Sequence, residues 1–144
     1  MSDNSQHLAV QANLKSIHAA MNKDREGWLA LYAEDAIISD PVGKSPLDPE
    51  GNGHRGKQAI ADFYDNIIAY AEFEMRPGQH LISGEYACAV PMQVINQLGD
   101  GVTTSVDLIG VYHVNKEGLI TSMNAYWDFG SIEQQLADAF EQNG

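Results

Sequence analysis

Residues 85–129 read "EYACAVPMQVINQLGDGVTTSVDLIGVYHVNKEGLITSMNAYWDF". Three runs, 85–97, 102–114 and 119–129, are separated by "LGDG" (98–101) and "NKEG" (115–118). Short polar turns ending in glycine between such runs are hairpin chemistry, and strands joined by short hairpins are antiparallel neighbours. The reading is therefore a meander of long strands, preceded by a shorter strand over 79–83. Within 86–94, Tyr86, Cys88, Val90, Met92 and Val94 alternate onto one face, while Ala87 and Ala89 make the other face apolar too. A sheet apolar on both sides requires a cover on both. Pro91 inside this run predicts a bulge that bends the sheet.

The cover comes from upstream. Val10, Leu14, Ile17 and Met21 recur at helical spacing and predict a helix over 8–22. Asp24 is placed to cap a second helix carrying Trp28, Leu31 and Tyr32. "AIIS" (36–39) reads as a short strand. Residues 41–56, with three prolines and four glycines, form a long loop of the kind that is often functional. A third helix over 57–70 carries the stripe Ile60, Phe63, Tyr64, Ile67 and Ile68. Ser131 and Gln134 form a capping box for a last short helix whose buried side is Ile132, Leu136 and Phe140. Three helices followed by a bent antiparallel sheet is an α+β layout. Wrapped by the helices, such a sheet becomes a cone with an apolar interior suited to a small ligand.

Length points to one domain over 1–144, with residues 1–6 and 142–144 as frayed ends. A net charge of −12 argues against nucleic acid and anionic membranes as partners and favours a neutral or apolar small molecule. No stretch reaches transmembrane length and the first ten residues lack an apolar signal core, so the expected location is cytoplasmic. The single cysteine, Cys88, excludes an internal disulfide and reads as a small core residue. No metal, nucleotide or flavin motif is present, and His54, His80 and His113, lacking ligand spacing, are expected on loops or outer strand faces. The chemistry expected is cofactor-free, with no metal.

"ISDPVG" (38–43) places Asp40 between a strand and a proline. A solvated turn explains this residue, and so does a base at the mouth of a pocket. Four segments bear on the choice: "LYAEDAIISDPVG" (31–43), "GKQAIADFYDNI" (56–67), "AVPMQV" (89–94) and "GLITSMNAYW" (118–127). Together they resemble the delta-5-3-ketosteroid isomerases of the nuclear-transport-factor-2-like (SnoaL-like) superfamily, from about residue 10 to 130. The resemblance implies a cone-shaped α+β barrel, commonly a homodimer joined through the outer face of the sheet. It assigns to Asp40 the base that shuttles a proton beside a ketone.

The resemblance also implies an oxyanion hole made by a first-helix tyrosine and a protonated strand aspartate. Those positions fall here on Ser16 or Ile17 and on Gly110. Asp107 has the opposite strand parity to Gly110 and points away. The expected replacement is a polar centre of Tyr32, Tyr64, Tyr112 and His18 around Asp40. The first two of these align with tyrosines that in some members form a hydrogen-bond network behind the oxyanion donor. Ile17, Trp28, Phe63, Val90, Met92, Leu108, Gly110 and Trp127 are expected to line the pocket. Asp128, beside Trp127, reads as a pocket acid or a rim charge.

Three functions are compatible with this sequence. The first is an isomerase moving a proton next to a carbonyl on a bulky apolar, steroid-like or aromatic substrate. The second is a lyase, dehydratase, cyclase or epoxide hydrolase on the same scaffold. The third is a non-catalytic binding or dimerisation module.

Overall fold

The computed structural model describes residues 4–143, and the side chains of residues 4–139. Residues 4–6, expected to fray, form a 3-10 turn, Asn4–Gln6; residues 1–3 and 144 lie outside the described residues.

Helix α1 is Leu8–Met21, begun by His7, whose Nδ1 accepts the Ala9 N–H at 3.1 Å. The expected stripe is rotated: Leu14 and Met21 are exposed, and the face turned inward is Ala9, Val10, Ala12, Asn13, Ser16, Ile17, Ala19 and Ala20. Small side chains let the helix axis approach the sheet closely, which a Leu/Met stripe does not. Asp24 caps α2, Arg25–Leu29, by accepting the Gly27 N–H at 3.0 Å. That helix ends before Leu31, and Tyr32 instead opens strand β1, Tyr32–Ser39, four residues earlier than the sequence predicts. Helix α3, Lys57–Phe63, runs on through one π-helical turn, Tyr64–Ile68. Ile60, Phe63 and Tyr64 are buried as expected, and Ile67 and Ile68 half-buried.

The remaining strands are β2 (His54–Arg55), β3 (Glu72–Pro77), β4 (Leu81–Ser83), β5 (Ala87–Gln97), β6 (Thr103–Val114) and β7 (Ile120–Tyr126). They join one seven-stranded sheet in the order β2-β1-β7-β6-β5-β3, with β4 also on β5. Pairing is antiparallel except between β1 and β7, which are parallel. The architecture is α+β as expected, but the curved sheet stays open rather than closing into a barrel. Strand β3 has no sequence signal because Glu72, Glu74 and Arg76 alternate with only two apolar residues, Phe73 and Met75.

The bulge predicted at Pro91 is absent, since the β5–β6 register runs unbroken from Ala87↔His113 to Gln97↔Thr103. The Pro91 carbonyl accepts the Gly78 N–H at 2.7 Å, so its backbone faces the gap between β3 and β4. No strand there demands the N–H that proline lacks. Register shifts occur instead on β1 between Tyr32 and Ile37, and on β7 at Thr121, which is passed over between the His113 and Val114 pairs.

Strand β6 alternates strictly. Thr104, Val106, Leu108, Gly110, Tyr112 and Val114 are buried, and Asp107 points outward, as parity requires. Each large apolar side chain buried on this face contributes about 1.5–3 kcal/mol. The last helix, α4 (Phe129–Asn143), starts two residues before the predicted capping Ser131. Asp128 occupies the cap instead: its Oδ1 accepts the Gly130 N–H at 3.0 Å and its carbonyl accepts from Ser131 Oγ at 2.9 Å. Ile132 and Leu136 are half-buried, and the Phe140 side chain lies outside the described residues. Among the described residues no helix is long and apolar enough to cross a membrane.

Candidate active site

Between the helices, the inner face of the sheet and α4 lies a cavity of about 340 Å³. Its walls are apolar, with Trp28, Phe63, Phe73, Leu108 and Met123 among them, and the π turn adds Ile67 and Ile68. The long loop contributes Leu47, next to Asp48, whose carboxylate organises the loop by accepting the Gly51 and Gly53 N–H groups at 3.2 and 2.7 Å. Helix α4 adds Phe129, Ile132 and Leu136.

Asp40 follows β1 directly, two residues beyond the fully buried Ile38, so its side chain takes the inner face. The Asp40–Pro41 peptide is cis. The carboxyl borders the cavity, and Trp127, just past β7, donates its indole Nε1–H to Oδ1 at 2.6 Å. Among the described residues Oδ2 has no protein partner, and no lysine or arginine pairs with the group; the ion pairs are Arg25–Asp65 and Arg76–Glu74. Burial raises the Asp40 pKa, against smaller opposing effects of the Trp127 hydrogen bond and His54. A carboxylate held by one oxygen, poorly solvated and unpaired, is disposed to accept a proton and able to return it.

Tyr32 and Tyr112 also line the cavity, both almost wholly buried. The Tyr32 ring packs on Trp28 at 4.8 Å. Burial pushes the Tyr32 phenol well up, and Tyr112 and Asp40 add to the rise. Burial also raises Tyr112, while the polar side chains of Ser16 and Asn13 beside it pull the other way. Both phenols therefore remain protonated donors at neutral pH. Ser16 reaches the cavity from α1, at one of the two positions where the resemblance expects a tyrosine.

Other expected site residues lie elsewhere. His18 is exposed on the outer side of α1 and bonds to Asn22, because the inner face there is taken by Ser16, Ile17, Ala19 and Ala20. Tyr64 is buried behind Trp28, at 5.4 Å between rings, and does not line the cavity. Burial raises its phenol, and the charges acting on it are those of Asp24, Arg25 and Asp65. Of the expected pocket residues, Trp28, Phe63, Leu108 and Trp127 line the cavity, whereas Ile17, Val90, Met92 and Gly110 belong to the packed core beside it.

Gly110 explains the missing acid. A Cβ there would lie 2.8 Å from the Met92 methyl and 3.2 Å from the Tyr112 ring. Met92 fills the space that a strand aspartate would need.

His54 departs from the sequence reading, whereas His80 lies on a connection as expected but turns its side chain inward. His54, on β2 opposite Ile38 of β1, packs on Phe63 at 5.1 Å, and among the described residues its buried Nε2 has no hydrogen-bond partner. His80, on the β3–β4 connection, reaches inward to Asn13, with 2.7 Å between Nε2 and Oδ1. Nothing in their spacing signalled either contact. His113 lies exposed on the outer face as expected; Asp128 is exposed and caps α4 rather than serving as a pocket acid.

The model of the SnoaL-like domain matches residues 14–123. The chain belongs to this family. SnoaL-like relatives place the ligand chemistry in context. A steroid delta-isomerase of Nocardioides simplex is 31% identical over 103 residues, 72% of this chain and 76% of the relative. The structure of RV0760c from Mycobacterium tuberculosis superposes with a TM-score of 0.83 at 36% identity, covering 91% of this chain and 97% of that one. A second structure of that protein holds estradiol-17beta-hemisuccinate; it gives a TM-score of 0.82 at 36% identity, with 88% and 98% covered. The delta-5-3-ketosteroid isomerase of a Mycobacterium species gives 0.81 at 32% identity, with 87% and 96% covered.

Proposed function

We propose that this SnoaL-like protein is an isomerase of the ketosteroid type. In this reading Asp40 removes a proton beside a ketone and returns it further along the conjugated system. Tyr112 and Tyr32, rather than Tyr64 or His18, donate to the oxygen on which negative charge develops. The observation that carries this is the Asp40 carboxyl: it borders an apolar cavity, its pKa is raised by burial, and among the described residues it is held through one oxygen and pairs with no lysine or arginine. The isomerase relative and the steroid-bound neighbour support a fused-ring apolar substrate. A carboxylate and phenol donors suffice for such proton transfer, so chelators should leave turnover unchanged.

The test uses a steroid with an unconjugated enone precursor. Its conversion to a conjugated enone is followed by ultraviolet absorbance, alongside deuterium uptake from solvent. Loss of both in Asp40→Asn supports the reading; conversion undiminished in that variant rejects it.

One observation favours a second reading. With Met92 in place of the strand acid, oxyanion stabilisation falls to neutral hydroxyls alone, and a base with weak donors also suits an elimination or hydration. Exchange at a ketone α-carbon without double-bond migration would point that way.

The exposed Ile109 and Tyr126 border an outer groove of about 470 Å³ with Pro91 and Asp107. This patch supports the homodimer, and sedimentation of the purified protein checks it.

A further inference from the structure

The cavity has a second polar spot, away from Asp40. On β5, Asn96 shares the inward parity of Cys88, Val90 and Met92, and on β6 Thr104 is almost wholly buried on the inner face. The two are cross-strand partners, and Asn96 Nδ2 donates to Thr104 Oγ1 at 3.1 Å. Both line the cavity. Among the described residues neither side chain has another hydrogen-bond partner. The amide keeps its oxygen and its second hydrogen, and the hydroxyl keeps its hydrogen. Exchanging the amide oxygen and nitrogen changes which atom offers what, yet the pair still holds out a donor and an acceptor. Buried polar groups are normally satisfied, so the space before them suits a group that both gives and takes a hydrogen bond.

Asp40 follows Ser39, which pairs with Asn124, and so enters beside Ala125 and its partner Gly110. Thr104 lies six residues before Gly110 on the same strand, roughly 20 Å if the strand were flat and less on this curved sheet. Between them the inner face of β6 carries only Val106 and Leu108, and Val94 and Met75 extend the Val106 row across β5 and β3. Two polar ends are thus separated by an apolar floor.

We propose that Asn96 and Thr104 form a specificity subsite for a hydroxyl at the far end of a rigid fused-ring ligand, remote from the carbonyl presented to Asp40. The hydroxyl donates to the Asn96 oxygen and accepts from the Thr104 hydroxyl, while the ring body packs on Val94, Val106 and Leu108. A single ring is too short to meet both ends, and a flexible chain loses more freedom on being ordered. A ketone in the same place fills only the acceptor half, and a bare hydrocarbon leaves both protein groups unpaired. The substrate class narrows to fused-ring ketones that carry a hydroxyl at the opposite end. That narrowing rests on the proton-transfer reading above, whereas the subsite itself is tested without turnover.

Estradiol, estrone and 17-deoxyestradiol serve as probes. They differ only in carrying a hydroxyl, a ketone or neither on the ring farthest from the phenol, and the phenol stands in for the enolised carbonyl beside Asp40. Dissociation constants are measured by calorimetry on the parent, Asn96→Leu and Thr104→Val, each with a thermal melt to confirm folding. On the parent, estradiol binds roughly fivefold or more tighter than 17-deoxyestradiol, with estrone between them. That ratio falls about fivefold in each variant, the worth of one neutral hydrogen bond. In turnover, an unconjugated enone precursor with a hydroxyl at its far end loses kcat/KM in Asn96→Leu mainly through KM, whereas its deoxy counterpart does not. Absence of turnover with the binding ratios as expected removes the isomerase reading and leaves the subsite standing. A ratio unchanged in the folded variants overturns the inference, because water and not a ligand hydroxyl then satisfies the pair. Equal losses for all three probes, or no binding by any of them, overturn it as well. Should neither variant fold, the parent decides: estradiol no tighter than 17-deoxyestradiol overturns the subsite.

Discussion

The indole of Trp127 and the carboxyl of Asp40 meet at 2.6 Å, tying the residue after β1 to the residue after β7. These two strands run parallel and are paired from Tyr32↔Ile120 to Ser39↔Asn124, so their carboxyl-terminal ends reach the cavity together. The contact does two things at once. It fixes one carboxylate oxygen, and it favours the charged form that burial disfavours.

Removing the indole N–H should therefore raise the Asp40 pKa further. In Trp127→Phe the acid limb of kcat/KM moves to higher pH, and turnover at neutral pH falls by about tenfold, the scale of one hydrogen bond to a charged group. A pH–rate profile checks this. A limb that stays in place shows that the indole does not govern the base.

For Asp40→Asn two effects oppose each other in an informative way. Turnover falls by roughly 10²–10⁴, the usual worth of a positioned general base. Stability changes in the other direction. The folded pKa of Asp40 is raised above its ordinary value of 3.8, so its protonated form stabilises the fold below that value, and this contribution is lost as pH rises through the folded pKa. At neutral pH the poorly solvated carboxylate is a net cost that asparagine lacks. The variant should melt higher than the parent at neutral pH, with the gap closing as pH approaches 4.

Gly110 and Met92 should be energetically coupled. An added Cβ at 110 crowds the Met92 methyl at 2.8 Å. Gly110→Ala should accordingly be less favourable in the parent than in a Met92→Ala background, by about 1 kcal/mol. Urea unfolding of the two single variants and the double variant closes the cycle.

Gln135 on α4 bonds twice to the main chain of Ser105, accepting from its N–H at 2.7 Å and donating to its carbonyl at 2.8 Å. Ser105 lies on β6 beyond the last residue paired to β7, so the glutamine stands where a strand would. Gln135→Ala should speed amide exchange at Ser105 by about tenfold, since roughly 1 kcal/mol of hydrogen bonding is lost. It should also speed ligand release, because Ile132 and Leu136 on the same helix line the cavity.

Tyr64→Phe and His18→Ala should leave kcat within about twofold, being outside the cavity. A larger loss in either would return them to the catalytic centre and disqualify the smaller set.

Period and turn chemistry in the sequence suffice for the α+β layout, the β5–β6–β7 meander, the position of Asp40 after a strand, and the outward direction of Asp107. These are local properties: alternation, helical spacing and Gly-rich turns are written over a few residues each. Strand β3 escaped because its solvent-facing charges hide the alternation, and α1 turned a different face inward because close packing selected its alanines over Leu14 and Met21. Which of the candidate polar groups reach the cavity with Asp40 was decided by tertiary structure. Trp127 lies 87 positions from its partner, and Asn13 lies 67 from His80 and 79 from Met92. Contacts across such separations depend on how strands pair and how a helix is rotated against them, and neither is encoded in any one stretch of the chain.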